Sequence, residues 1–361
     1  MSPTTHDPRR VDAAHLEHFI RDVLARIADE ATADAATRAM MHGSRLGIDS
    51  HGARLLQHYV TVMEAGRVNP RPELRLEAGI GATAVLDADD GHGALAAYRA
   101  MDEAVALAGR QGIGAVAIRR SSHFGPAGAY ALAAAERGYI GLAFCNSDSF
   151  VRLHEGKTRF HGTNPIAAAV PAAGQRPWLL DMATSAIPYN RVKLYRSLAQ
   201  VLPEGVASDV EGRDVRDAEQ AEMLAPLGGA FGFKGAGLGG LVEILSAVLT
   251  GMKLSFDIAP MPGPDLSTPR GLGAFVLALD PAAFVAPVTF EAGMARYLDI
   301  LRASPAIDGG AVMAPGDREW REAAEREHRG IPLDPDTLAH FAALAERFGL
   351  AWPPDSERGT P

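Results

Sequence analysis

Hydrophobic positions near the two ends of the chain recur every three or four residues. Residues 11–31 place six apolar side chains on one face of a predicted amphipathic helix: Leu16, Phe19, Ile20, Val23, Leu24 and Ile27. A second helix is predicted to begin near Ser50 and to end before the sequence GRVNPRP at 66–72. A charged amphipathic helical pattern returns at 317–350.

The middle of the chain changes to short apolar runs that are rich in β-branched residues. These runs predict strands at 82–87, 114–118, 139–144, 164–170, 178–182 and 273–280. Helices are predicted at 94–110, at 127–137 and in the apolar stretch after Gly240, and residues 262–271 form a proline-rich loop. Strands that alternate with helices indicate an α/β fold. We expect the helical segments at the two ends to pack together.

Composition and charge exclude several classes of protein. The chain has 361 residues, enough for more than one domain, and its 47% hydrophobic and 22% charged content is that of a globular protein. A net charge of −9 without a basic block argues against nucleic-acid binding. Acidic residues in the first thirty positions argue against a secretory signal, and the single cysteine, Cys145, fits a reducing compartment. We expect a cytoplasmic protein.

Several apparent motifs are rejected on their context. The sequence GAGLGG at 235–240 fits a dinucleotide fingerprint, but no strand precedes it. The same apolar run, 235–252, is long enough to cross a membrane, yet Glu243 interrupts it and a buried helix is favoured. The sequence DADDGHG at 87–93 lacks the glutamate of a calcium loop, and no group of residues has zinc spacing. We therefore expect neither a metal nor a membrane partner.

Three polar clusters follow predicted strands, where α/β folds often place their sites. They read RRSSHFGPAGAY at 119–130, FCNSD at 144–148 and DMATS at 181–185. Each residue alone also has a structural explanation: His123 as a hydrogen-bonded residue, Asp181 as a turn cap, and Asp49 or Ser50 as helix caps. Their occurrence together in one chain favours a functional site.

The order of these motifs supports a resemblance to a known family. GIDSHG (47–52), SSHFGPAGAYALAAAERGYIGLAFCNS (121–147), GTNPIA (162–167), LDMATS (180–185), PLGG (226–229), FKGAGLGGLVEILSAVLTG (233–251) and APGDRE (314–319) appear in this order. Together they resemble the non-Rossmann malate/L-lactate dehydrogenase family, over about residues 10–350. The resemblance implies an NAD(P)-dependent oxidoreductase with the α/β fold of that family, acting on a small carboxylate, and a homodimer with its active site near the subunit contact.

The resemblance also implies roles for individual residues. Ser50 and His51 correspond to a polar pair near the substrate, His123 to the acid/base and Asp181 to an acidic partner. Contacts to the substrate are expected from Tyr59, Asn146 and Thr184. Contacts to NAD or NADP are expected from His123, Phe124, Gly125, Ser147, Thr163, Asn164, Asp181, Met182, Ala183, Lys234, Gly235, Pro315, Gly316 and Arg318.

The chemistry needs these residue types. Negative charge develops on the carbonyl oxygen of a 2-oxo acid when hydride reaches its carbon, and a histidine can donate a proton there. A carboxylate beside the imidazole would stabilise its charged form. An arginine holds a substrate carboxylate through two hydrogen bonds.

The chain departs from the family pattern near the expected substrate contacts. Many relatives have arginine five residues after the serine, where this chain has Leu55; Arg54 precedes it and remains a candidate catalytic residue. A shift of one position turns a helical side chain by roughly 100°. Gln57 replaces a proline, the segment after DMATS reads AIPYNRVKLYRS, and Ala236 replaces a tyrosine.

The resemblance leaves three functions open. The first is interconversion of a 2-oxo and a 2-hydroxy acid, the second is reduction of a cyclic imino acid, and the third is a catalytically silent nucleotide-binding relative. The expected domains are a helical domain of residues 1–78 and 315–361, a cofactor-binding domain of 79–122 and 226–314, and an inserted α/β domain of 123–225. Preference for NAD or NADP stays open.

Overall fold

The computed structural model describes residues 9–352, which form ten α-helices and thirteen strands. The helices are α1 Ala13–Ala25, α2 Glu30–Arg45, α3 Leu56–Glu64, α4 Gly93–Gln111, α5 Gly128–Ala135, α6 Tyr189–Ser197, α7 Phe233–Glu243, α8 Pro287–Arg302, α9 Asp317–Arg329 and α10 Pro335–Phe348. The strands are β1 Arg9–Val11, β2 Arg75–Ala78, β3 Thr83–Asp87, β4 Ile113–Ser121, β5 Ile140–Cys145, β6 Val151–Arg152, β7 Arg159–His161, β8 Ile166–Val170, β9 Trp178–Met182, β10 Ala207–Ser208, β11 Met223–Leu224, β12 Leu272–Leu279 and β13 Ile331–Leu333.

A seven-stranded mixed sheet forms the centre of the fold, in the order β2-β3-β4-β12-β5-β8-β9. All six predicted strands are in this sheet. Helix α4 packs on β4 and β12, and α5 packs on β5 and β8. Their alanine-rich faces allow close approach of the helices to the strands, and one buried cluster joins them. The predicted α/β fold class is confirmed.

The sheet runs across the predicted boundary between residues 122 and 123. Strands β5, β8 and β9 come from the predicted inserted domain, yet β5 pairs with β12 of the predicted cofactor-binding domain. Four short strands of the predicted inserted domain form a separate sheet, in the order β10-β11-β6-β7. The larger sheet is thus shared between two segments that the sequence analysis divided.

The helical segments at the two ends pack together, as expected. Strand β1 pairs antiparallel with β13, and side chains from α1, α2, α3 and α10 share a second buried cluster. The predicted helix 11–31 ends earlier, at Ala25, because Asp29 caps a new helix by accepting the Thr32 N–H at 2.8 Å. Gly330, with φ at 78°, separates α9 from α10 where one helical pattern was read.

Two predicted helices have irregular ends. The helix expected from Ser50 consists of 3₁₀ turns at Asp49–His51 and Ala53–Leu55 before α3 begins. Gly52 separates the turns in extended backbone, and a β-carbon there would lie 2.5 Å from the Ser44 Oγ. The long apolar helix begins earlier than predicted, at Phe233, and continues after Glu243 as a π-helix over Ile244–Val248. In residues 9–352 no helix is both long and apolar enough to cross a membrane.

Candidate active site

The sheet topology brings the predicted polar clusters to one edge. Strand β3 is parallel to β4. Strand β12 is antiparallel to both β4 and β5, so β5 runs in the direction of β4. Strand β8 is antiparallel to both β5 and β9, so β9 runs in this direction as well. His123, Asn146 and Asp181 therefore lie where these strands end. This edge is a natural place for a ligand in an α/β sheet.

The structure brings four predicted residues into one polar group. The Tyr59 hydroxyl lies 2.9 Å from the Nδ1 of His123, and the Ser50 Oγ lies 2.9 Å from the Nδ1 of His51. The two imidazole rings are nearly parallel, with centroids 5.7 Å apart. In the described chain, the His123 Nε2 makes no hydrogen bond. This nitrogen is free to exchange a proton with a ligand.

Burial lowers the pKa of both imidazoles. The pKa of His51 falls to about 4, and the positive charge of Arg54 adds to the effect of burial. The pKa of His123 falls well below its usual value, because of burial first and then of His51 and Arg270. Burial raises the pKa of Tyr59, so that its hydroxyl stays protonated. At neutral pH the site holds neutral imidazoles and a neutral phenol.

Asp181 occupies a different part of the site from the one expected. Its Oδ2 accepts the Gly128 N–H at 2.8 Å, at the first residue of α5. Burial raises the pKa of Asp181 to about 6, against the opposing effect of that hydrogen bond. Tyr59, and not Asp181, is the side chain that orients His123. Asp181 thus holds the start of α5, directly after the His123 loop.

Asn146, Asn164 and Thr184 were expected to contact ligands, but the structure places their side chains in the core. Both asparagines are 0% exposed and donate to the carboxylate of Glu243, at 3.3 and 2.7 Å. The Thr184 hydroxyl donates to the carbonyl oxygens of Thr163 and Asn164. Glu243 is a buried carboxylate that needs hydrogen-bond donors, and the two asparagine side chains supply them.

Glu243 also accepts from the Ser255 N–H and hydroxyl, each at 2.6 Å. Glu243 therefore connects α7 to the loop after β5 through Asn146, to the loop before β8 through Asn164, and to the turn at Ser255. Sequence reasoning noted this glutamate only as an interruption of an apolar run. Its four donors come from three separate segments, which no local pattern reveals.

Other predicted cofactor contacts divide into buried and accessible residues. The Phe124 ring is 3% exposed and packs on Tyr130, and a β-carbon on Gly235 would lie 2.2 Å from the Leu227 carbonyl oxygen. Both positions are closely packed, and their predicted contacts to the cofactor stay predictions. The half-buried positions Ser147, Thr163, Met182 and Ala183 and the exposed Lys234 stay candidates.

The turn at 315–318 lies against the sheet next to β9. The Pro315 carbonyl oxygen accepts the Leu179 N–H at 3.1 Å, two positions before Asp181. Gly316 has a φ of 98°, and a β-carbon there would meet the Trp320 indole nitrogen at 2.9 Å. Arg318 is exposed and pairs with Glu319 at 3.0 Å. The structure thus brings this distant turn close to the DMATS segment.

Comparison with known proteins agrees with this arrangement. The sequence profile described as Malate/L-lactate dehydrogenase matches residues 11–342. The chain belongs to the malate/L-lactate dehydrogenase family. Within it, the chain is 33% identical over 350 residues to a malate dehydrogenase of Pyrococcus abyssi, a match that covers 94% of this chain and 95% of the relative.

Two further family members carry different substrate names. A (2R)-3-sulfolactate dehydrogenase (NADP(+)) of Chromohalobacter salexigens is 34% identical over 84% of this chain and 87% of its own length. A ureidoglycolate dehydrogenase (NAD(+)) of Escherichia coli is 31% identical over 86% of this chain and 89% of its own. The names indicate a nicotinamide cofactor in each relative. One uses NADP and the other NAD, so the choice between the two stays open for this chain.

Solved structures of the family share the fold. A malate dehydrogenase from Entamoeba histolytica superposes with a TM-score of 0.90 at 26% identity, covering 96% of this chain and 99% of its own. A Δ1-piperideine-2-carboxylate reductase from Pseudomonas syringae superposes with a TM-score of 0.82 at 27% identity, covering 93% of this chain and 100% of its own. The solved relatives therefore include one protein named for C=O chemistry and one named for C=N chemistry.

Proposed function

We propose that this malate/L-lactate dehydrogenase family member is an NAD(P)-dependent oxidoreductase that interconverts a small 2-oxo acid and the corresponding 2-hydroxy acid. The observation that supports it best is the His123–Tyr59 pair. Its Nδ1 is held at 2.9 Å from the hydroxyl, and its Nε2 is left without a partner in the described structure. This arrangement fixes which nitrogen exchanges the proton.

The proton follows a defined route in each direction. When the hydroxy acid is oxidised, the neutral His123 takes the hydroxyl proton at Nε2 and becomes an imidazolium whose Nδ1–H donates to the Tyr59 oxygen. When the oxo acid is reduced, the imidazolium returns this proton to the carbonyl oxygen. Because the pKa of His123 is low in the free protein, its protonated form needs a nearby anion. The substrate carboxylate supplies that negative charge.

The residues around His123 are compatible with a nicotinamide ring. A bound reduced nicotinamide supplies the hydride. Gly125 has a φ of 75°, and a β-carbon there would find its nearest neighbours, the Tyr59 hydroxyl and the His51 carbonyl oxygen, at 3.7 and 4.0 Å. A side chain at position 125 would therefore be in ordinary van der Waals contact with these two atoms, and the positive φ favours glycine there. Asp181, Met182 and Ala183 follow at the end of β9 as further candidate contacts.

Reduction of a cyclic imino acid is the second candidate function. The reductase from Pseudomonas syringae shares the fold, and an imine nitrogen can take the same proton from Nε2. Both substrate classes carry a carboxylate, so an arginine near His123 favours neither. The choice depends on the acceptor atom that reaches Nε2.

The test is a spectrophotometric assay of the reduced-nicotinamide band. NADH and NADPH are each offered with pyruvate, oxaloacetate, sulfopyruvate and Δ1-piperideine-2-carboxylate. We expect oxidation with at least one oxo acid. Turnover with the imine alone would replace the first candidate by the second, and nucleotide binding without any turnover would favour the silent relative.

We further propose that the chain is a cytoplasmic homodimer that pairs through the exposed apolar face of α7 and the π-helix. Phe233, Leu241, Ile244 and Val248 are 47 to 63% exposed and recur at helical spacing. A contiguous apolar surface of this kind marks an interaction site. Sedimentation should give about twice the chain mass of 38.1 kDa, and Ile244→Asp should give monomers. A monomeric wild-type protein would refute this assignment.

A further inference from the structure

A small cavity with room for about one water molecule lies beside His123, on the side of Tyr59, and two arginines line it. The remaining lining comes mainly from His58, Tyr59, Ser122 and His123. Arg67 and Arg270 are only 3% and 4% exposed. Arginine is rarely buried to this extent unless its charge is paired.

Within residues 9–352, only one of these two guanidinium groups has a carboxylate in contact. Arg270 donates to the Asp148 carboxylate, and its Nε donates to the Ala259 carbonyl oxygen at 2.8 Å. Arg67 donates one hydrogen bond, from Nη1 to the Met261 carbonyl oxygen at 2.8 Å. The Arg67 Nε is buried and has no hydrogen-bond partner in the described chain.

The charges around the cavity do not balance locally. Asp148 is already engaged by Arg270 and by the Met261 N–H at 3.3 Å. Asp265, the other acidic group that acts on Arg67, is occupied by Ser267 and Thr268. Burial lowers the pKa of Arg67, and the charge of Arg270 lowers it further. One water molecule or one carboxylate oxygen fits this space, and either can accept from the unused Arg67 Nε–H beside the second guanidinium.

We propose that Arg67, supported by Arg270, binds the carboxylate of the substrate. The proposal rests on the proposed oxidoreductase function, and it places the carboxylate next to His123, where the reacting carbon of a 2-oxo acid must lie. It also accounts for Leu55, which stands where many relatives have the arginine expected to bind the substrate. Arg67, which follows helix α3, takes over that task.

Arg54 is the competing candidate for this role. It is exposed, on the 3₁₀ turn Ala53–Leu55, and acts on His51 and on Asp334. A solvated guanidinium without pre-organised geometry gives less carboxylate affinity than a desolvated one, because binding must order the side chain. If Arg67 binds the carboxylate, substitution of Arg67 should weaken binding and substitution of Arg54 should not. The reverse is expected if Arg54 binds it.

Calorimetric titration with oxalate tests the proposal, because oxalate resembles a 2-oxo acid and its binding requires no turnover. Titrations are made with and without NADH or NADPH. Arg67→Gln keeps a donor for the Met261 carbonyl oxygen and removes the charge; it should raise the oxalate Kd at least about tenfold, the loss expected for one charge-assisted hydrogen bond. Arg67→Lys keeps the charge and should weaken binding less, by about threefold or more.

The exposed Arg71→Gln is the control, and Arg54→Gln tests the competing candidate; if Arg67 binds the carboxylate, both should leave the oxalate Kd within about twofold. Unchanged oxalate affinity in Arg67→Gln overturns the proposal, as does a loss confined to Arg54→Gln. If Arg67→Gln does not fold, as judged by nucleotide binding and thermal unfolding, unchanged affinity in Arg67→Lys overturns it. Arg67-dependent oxalate binding without turnover of any oxo acid or imine would refute only the proposed function.

Discussion

Tyr59→Phe isolates the hydroxyl that orients the proposed acid/base. The Tyr59 ring is 2% exposed and packs edge-on against His92, with centroids 4.2 Å apart. The substitution retains the ring and its packing and removes one hydrogen bond, to the Nδ1 of His123 at 2.9 Å. The fold should therefore lose only about 1 kcal/mol, the usual value for a neutral hydrogen bond.

The catalytic effect should be larger than the effect on stability. His123 carries a positive charge while it holds the proton, and its Nδ1–H then donates a charge-assisted bond to the Tyr59 oxygen. Such bonds contribute about 1.5–3 kcal/mol. Their loss corresponds to a decrease of about ten- to 150-fold in kcat/KM. Without the acceptor the pKa of His123 should fall further.

Steady-state rates in both directions, measured from pH 5 to about 9, check this expectation. Tyr98→Phe is the matched control, because Tyr98 is also a buried tyrosine, 9% exposed, but packs on Tyr130 away from the histidines. Wild-type kcat/KM in Tyr59→Phe, with an unshifted pH profile, would refute the role of the hydroxyl. An equal loss in Tyr98→Phe would show that the effect is structural.

Three further results are expected. First, kcat/KM for reduction should fall about tenfold per pH unit between pH 6 and 8 while that for oxidation stays level, because the free protein holds neutral His123; a plateau in the reduction rate would contradict this. Second, burial lowers the pKa of His92 to about 3, so the unfolded state binds more protons below about pH 6.5. As the pH is lowered from there towards about 3, His92 should decrease the free energy of unfolding by up to about 1.4 kcal/mol per unit. His92→Asn keeps the helix cap that accepts the Ala94 N–H and should reduce the slope from urea unfolding curves by that amount, while the other buried histidines keep their share; an unchanged slope would argue against it. Third, Glu243→Ala removes an acceptor from each of two buried amides and from both Ser255 donors and should cost at least about 3 kcal/mol. Glu243→Gln, which keeps one acceptor, should cost less; equal, small losses would contradict the network.

The central strands could be predicted because each is a short apolar run bounded by turn residues. Helix α2 was missed, since its buried face is made largely of Ala35, Ala36 and Ala39, and small residues give little contrast between its two faces. The π-helix could not be foreseen either. A β-carbon on Gly273 would lie 1.8 Å from the Ser246 carbonyl oxygen, so the irregular turn depends on a strand that is distant in sequence.

The candidate site also contains some residues that the sequence could predict and others that it could not. The motifs led to His51, Tyr59 and His123, which the structure brings together. They also led to Asn146 and Asn164, whose polar character serves the buried Glu243. Arg67 and Arg270 gave no local signal, because Arg270 meets Asp148 across 122 positions of sequence and burial changes what an arginine can do.

The most direct test of the account is turnover by His123→Asn. Asparagine keeps a polar side chain in the loop but cannot carry the proton. With nucleotide binding intact, kcat should fall by about two orders of magnitude or more. Wild-type turnover in this variant would contradict the assignment of His123 as the residue that exchanges the substrate proton.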